Sequence, residues 1–251
     1  MIFLTNSAKT FNKTDDYFDF QMSEPKFLKE SQLILEELQK KNENELKKIY
    51  QSSEKIALEN FKRFKDWQKL NFEPAMLAYD GDIYKKLKSN LNLNLQKKSF
   101  AQQHMRIVSG LYGLIKPFDG IKRYRLEMIS KLEVANKKNL YEFWKAKVTK
   151  HLNKEIAQQN EKILLNLCSD EYISVIDRNK LNYPIVDVVF KQKTEKGLKN
   201  VPIYSKQARG LMCSFLINNK IDNLEKVKLF DYENYKFEKK LSDEHLMIFI
   251  R

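Results

Sequence analysis

Residues 99–128, SFAQQHMRIVSGLYGLIKPFDGIKRYRLEM, carry the decisive reading of this chain. Gln96–Val108 reads as an amphipathic helix that runs into Ser109-Gly110-Leu111-Tyr112-Gly113. A second apolar stretch follows and ends at Pro117, and then come Lys122-Arg123-Tyr124-Arg125. Two of the six glycines stand three positions apart in the turn between the two stretches. Glycine lets backbone N–H groups turn outward and approach an anion closely, and a helix that starts beyond such a turn aims its positive end at the same spot. The segment is therefore expected to form a helix-hairpin-helix whose turn meets phosphate.

Outward from this segment, Met1–Leu4 is an apolar strand that enters the polar turn Thr5–Thr10. Ser23-Glu24-Pro25 has the cap and early proline of a helix start. Helical patterning continues to about Trp67, with breaks near Asn42 and Ser52-Ser53, and places Ala57, Phe61 and Phe64 on one face. Ala75–Tyr79 reads as a short strand closed by Asp80-Gly81-Asp82. Tyr141–Gln158 is a helix with the stripe Tyr141, Trp144, Val148, Leu152 and Ile156 facing a core. Ile163–Cys168, Ile185–Phe190, Val201–Tyr204 and Leu246–Ile250 are strand-like. Ala208, Leu211, Met212, Phe215 and Leu216 have helical spacing. These elements predict an α+β fold: a single compact domain over residues 1–251, with a mixed central sheet surrounded by helices.

The chain has 251 residues, 42% of them hydrophobic, enough to bury a core without disulfide staples. Its net charge of +13 calls for an acidic partner such as nucleic acid, although part of the lysine excess lies on solvated helix faces. Cys168 and Cys213 form no CxxC pair, which fits a reduced, cytoplasmic protein. No apolar run approaches the ~18–20 residues of a membrane span. The three histidines, His104, His151 and His245, are scattered, so no metal site is expected, and no cofactor motif is present.

Four groups of residues are candidates for chemistry. Gly110, Gly113, Lys116, Lys122, Arg123 and Arg125 would bind DNA phosphate without reading sequence. Lys206 and Arg209, one turn apart on the last long helix, would grip a phosphate or serve as surface charges, and Lys9 after the first strand is in the same position. Asp170 and Glu171 follow a buried strand directly. Carboxyl ends of strands favour ligands, so the pair reads as acid/base groups or a metal foothold, or else Ser169 or Asp170 caps the next helix. Cys168 reads as a buried, inert thiol.

The blocks Ser7-Ala8-Lys9-Thr10, Asp80-Gly81-Asp82-Ile83-Tyr84, Phe100–His104, Ser109–Gly113, Tyr124-Arg125-Leu126-Glu127-Met128, Tyr141-Glu142-Phe143-Trp144, Asn166–Tyr172 and Ala208–Met212 together resemble the bacterial peroxide stress protein YaaA family. The resemblance covers nearly the whole chain. It departs at Ser7, where the family usually has proline, and weakens after Asp222. It implies a cytoplasmic protein of the hydrogen peroxide response that limits iron-dependent damage, and a compact body with a basic cleft and a helix-hairpin-helix. The resulting expectation is a protein that binds double-stranded DNA without strong sequence preference, away from membranes and plausible as a monomer. The alternative is an enzyme acting on a nucleotide or nucleic-acid base, with catalytic candidates Asp170, Glu171, Glu127 and Lys9.

Overall fold

The computed structural model describes residues 1–12 and 21–251. Its main sheet contains β1 (Ile2–Asn6), β2 (Met105–Ser109), β3 (Gly113–Ile115), β4 (Leu164–Asn166), β5 (Ile185–Thr194), β6 (Gly197–Lys199), β7 (Lys236–Phe237) and β8 (Leu246–Ile250). The order across the sheet is β7-β8-β5-β4-β1-β2-β3, with β6 paired to β5. The pairs β1–β2, β1–β4, β4–β5 and β5–β8 are parallel. The pairs β2–β3, β5–β6 and β7–β8 are antiparallel. Strands covered on both faces carry continuous apolar runs, and Ile2-Phe3-Leu4 at the centre is such a run, fully buried.

The parallel strands alone, counted along the chain, lie in the order 2-1-3-4-5. The chain leaves β1 toward β2 on one side and later returns to β4 on the other. In open sheets wound this way a crevice forms beyond the carboxyl ends of the two strands where the direction reverses. Here those ends are Asn6 of β1 and Asn166 of β4.

The helices used below are α1 (Leu28–Gln39), α2 (Glu43–Tyr50), α3 (Glu54–Lys65), α4 (Asp82–Asn90), α5 (Leu95–His104), α6 (Leu140–Ala157), α7 (Asp170–Ile173) and α8 (Pro202–Asn218). The expected breaks near Asn42 and Ser53 are real. Asn42 caps α2 in a capping box with Glu45, and Ser53 occupies the N-cap position of α3. The α6 stripe is buried at Trp144, Val148, Leu152 and Ile156, with Tyr141 half-buried. All five apolar positions expected on α8 are buried. Among the described residues, no helix is long and apolar enough to cross a membrane.

Five local expectations are corrected. The helix expected over Gln96–Val108 ends at His104, and Met105–Ser109 is a fully buried strand beside β1. The glycine turn therefore joins β2 to β3 as a β-hairpin, with Ser109 opposite Gly113, and there is no helix-hairpin-helix at this position. Ser109 Oγ accepts the Tyr112 N–H at 3.0 Å and closes the turn. Residues 75–78 form one helical turn after Pro74, and only Tyr79–Asp80 is strand, paired with Thr10–Phe11. Val201–Tyr204 is the start of α8, where Pro202 takes the first turn because its missing N–H is not needed there. Ser23 does not start a helix either; its hydroxyl donates to Asp119 at 2.6 Å.

Candidate functional site

A cleft of about 210 Å³ opens at the carboxyl ends of β1 and β4. Its walls come from residues 6–10 at and beyond the end of β1, 80–84 at the start of α4, Ser169, Glu171 and Tyr172 at the start of α7, and Lys206 and Arg209 of α8. Two glycines bring these walls together. Gly81 has φ +144°, and a Cβ there would meet Ala8 Cβ at 3.5 Å. Gly210 lies against the Ile83 carbonyl so closely that any Cβ would overlap it. That contact seats α8 on the first turn of α4 and sets the neighbouring Arg209 over the cleft.

Both helices that begin here lack a side-chain cap. Gly81 is the N-cap residue of α4, and neither Ser169 nor any other side chain caps α7. The Ser169 N–H donates instead to Asn6 Oδ1 at 3.3 Å. The capping reading of Ser169-Asp170 is thus not what these side chains do. The uncapped N–H groups at the start of α4 add positive potential to a cleft that already holds Lys9, Lys206 and Arg209. Arg209 is half-buried, its Nε has no partner among the described residues, and burial pulls its basicity down while the Cys168 and Asp170 side chains push it back up. Guanidinium keeps its charge throughout.

Asp80, Asp82 and Glu171 supply carboxylates to the same cleft. Glu171 accepts the Ile129 N–H at 3.2 Å, and Asp80 lies 3.7 Å from Lys85. Ser7, Thr10, Tyr84 and Tyr172 bring hydroxyls to the cleft, and a buried set of hydroxyls lies behind them. Ser7 opposes the burial-driven rise of the Tyr124 and Tyr172 phenols. Tyr124 Oη is 2.7 Å from Tyr79 Oη and 2.6 Å from Ser109 Oγ. Burial pushes these phenols up, so they remain neutral hydrogen-bonding groups.

The sequence-derived residues divide into three sets. Lys9, Glu171, Lys206 and Arg209 meet in the cleft. Glu127 and Arg125 stand behind it: Glu127 Oε1 takes Lys9 Nζ at 2.8 Å and Arg125 Nη2 at 2.9 Å. The others lie elsewhere. Asp170 is exposed and outside the cleft wall. Gly110 and Gly113 are buried, Lys122 Nζ donates to the Trp67 carbonyl at 2.8 Å, and Arg123 pairs with Glu73 at 2.6 Å. Lys116 borders a separate cavity of about 130 Å³ with Arg106, His151 and Glu155. Cys168 is buried, and burial pushes its thiol up.

The sequence reading passed over Asn6, Ser7, Tyr84 and Tyr172 as site residues. The signal was their place immediately beyond buried strands or at helix starts, which only the sheet order turns into one location.

Residues 1–241 match the family model described as peroxide stress protein YaaA. The chain is also 42% identical over 251 residues to a UPF0246 protein of Crocosphaera subtropica, with both chains covered completely. Likewise it is 41% identical over 256 residues to a UPF0246 protein of Rickettsia conorii, and 37% over 255 residues to one of Flavobacterium johnsoniae, again over the full length of each.

Proposed function

Since the chain belongs to the peroxide stress protein YaaA family, we propose that it serves the peroxide response by binding and processing a phosphate-bearing nucleotide, or a base within nucleic acid, in the switch-point cleft. The observation that carries this reading is the meeting of Lys9, Lys206 and Arg209 with Asp82 and Glu171 in one concave space. A coat for DNA needs cations alone. A cleft with both signs of charge, the uncapped start of α4 and the hydroxyls of Ser7, Tyr84 and Tyr172 suits a ligand with an anionic group and hydrogen-bonding edges.

In this reading Arg209 and Lys206 hold the phosphate, with Arg209 the more rigid of the two because it is half-enclosed by the fold. Glu171 and Asp82 are the acid/base groups, since a carboxylate within reach of the ligand can accept or return a proton. The limit on iron-dependent damage then follows from what happens to the ligand. Calorimetric titration of ribose 5-phosphate and nucleoside monophosphates tests the reading. Binding that is lost in Arg209→Ala supports it, and no binding at millimolar ligand by the folded protein overturns it.

A second reading is sequence-nonspecific binding of double-stranded DNA, favoured by the net charge of +13. There the same three cations contact backbone phosphates, and affinity falls steeply with salt through counterion release.

A further inference from the structure

Behind Lys9 lies a buried set of polar atoms that no contact among the described residues satisfies. Glu127 spends one carboxylate oxygen on two cations, Lys9 and Arg125, while its Oε2 is buried with no partner. Arg125 Nε and the Tyr50 hydroxyl are buried and unpartnered as well. Tyr50 and Glu127 are each only 5% exposed. Burial, followed by the charge of Glu127, pushes the Tyr50 phenol up, and Arg125 and Arg63 oppose this. Tyr50 comes from the end of α2, whereas Arg125 and Glu127 lie on the segment after β3.

An orphaned buried polar atom costs about 1–3 kcal/mol, more when charged. Three together, in a fold that satisfies the hydroxyls of Tyr79, Tyr84 and Tyr124 nearby, mark a place for something else. The occupant must donate to Glu127 Oε2 and accept from Arg125 Nε. A hydroxyl does both, and the Tyr50 hydroxyl can complement it in either sense. A second cation would be repelled by Arg125, and an anion by Glu127. The set adjoins the cleft, because Lys9, which lines it, touches Glu127.

We infer that Tyr50, Arg125 and Glu127 form an inner, hydroxyl-binding subsite of the cleft, filled by one water molecule in the free protein and by a sugar hydroxyl of the ligand when bound. The sugar part rests on the phosphate-ligand reading above, and the water part does not. Carboxylates are well suited to ribose hydroxyls, as in dinucleotide sites where an acidic residue takes the 2′-hydroxyl.

Two experiments decide it. A crystal structure of the free chain should show an isolated density peak within hydrogen-bond distance of Glu127 Oε2, Arg125 Nε and Tyr50 Oη. Side chains that repack to satisfy one another with no peak would overturn the subsite. Titration then compares ribose 5-phosphate with n-propyl phosphate, which carries no hydroxyl. The expected preference for ribose 5-phosphate is about tenfold, the size of one hydrogen bond to a charged group. Tyr50→Phe should reduce that preference and Glu127→Gln abolish it, read as the ratio of the two affinities within each variant. Equal binding of the two probes by the unaltered chain would leave only a structural water and overturn the sugar assignment. If neither probe binds, the phosphate reading itself fails, and the density peak alone decides the subsite.

Discussion

Gly110 is seated so tightly on Leu126 that a Cβ at the glycine would overlap the Leu126 carbonyl oxygen. The turn beside it is equally constrained. Gly113 has φ +69°, and an added Cβ would come within 2.6 Å of the Trp144 ring, whose Nε1 donates to the Gly110 carbonyl at 2.9 Å. These glycines hold the hairpin against α6 and against the segment that carries Arg125 and Glu127.

Gly110→Ala is therefore expected to destabilise the fold by about 3 kcal/mol, the cost of overpacking against backbone that cannot yield. Gly113→Ala adds the left-handed penalty of roughly 1–2 kcal/mol to its clash with Trp144. Urea denaturation measures both. An unchanged midpoint in either variant would contradict the packing described.

Glu171→Gln and Asp170→Asn should separate. Glu171 lines the cleft, and its amide replacement can still accept the Ile129 N–H, so Glu171→Gln is expected to stay folded and lose the family's protective activity against peroxide in cells. Asp170 is exposed and caps nothing, so Asp170→Asn should protect as well as the unaltered chain. Equal behaviour of the two variants would remove Glu171 as a proton-transferring group.

The Arg106–Glu155 pair sets an acid limit on stability. Burial alone would raise the Glu155 carboxyl, but hydrogen bonds and charge from His151 and Arg106 outweigh it and hold Glu155 near about 2. Arg106 reaches it through two bonds of 2.8 and 2.7 Å. A depressed carboxyl contributes stability in full above its ordinary value of 4.5, and this is lost as pH falls from there toward about 2. Arg106→Ala should cost about 3–5 kcal/mol at pH 7, because it strands a buried carboxylate. The penalty should shrink below pH 4 as Glu155 takes up a proton. Denaturation at pH 7 and pH 3 checks the sign.

If duplex DNA binds, the salt dependence should single out the cleft. Lys206→Ala is expected to lower the slope of log affinity against log salt by about 1, the contribution of one phosphate contact. Lys122→Met should leave the slope unchanged, because its ammonium is already held by the Trp67 carbonyl and lies 4.9 Å from the centre of the Phe72 ring. A slope altered by Lys122→Met and not by Lys206→Ala would return the DNA contact to the hairpin region.

Elements with a strong local pattern were legible in the sequence. The apolar run of β1 and the periodic faces of α6 and α8 report their own burial. Met105–Ser109 was not legible, because it follows α5 without a glycine or proline and carries Arg106 in a strand buried on every residue. Arg106 is satisfied by Glu155 on α6, a partner distant in sequence, and a local pattern cannot register that. The same holds for Lys122 and Arg123, which look like a nucleic-acid patch until the Trp67 carbonyl and Glu73 are seen to hold them. Each wall of the cleft was marked in the sequence by charge or by position after a strand. Their union was not, since it depends on β4 crossing to the far side of β1 from β2.

The burial of Cys168 and Cys213 bears on how this molecule fares amid oxidants. Peroxide attacks thiolate, whereas burial pushes Cys213 up to about 12 and Cys168 also well above its ordinary value. Six of the seven methionines are buried too, leaving only Met22 partly open. Apart from Met22, the chain's sulfur is thus sealed inside the fold, out of contact with dissolved oxidant. Such a protein is durable equipment for an oxidised cell, with no fuse of its own to blow.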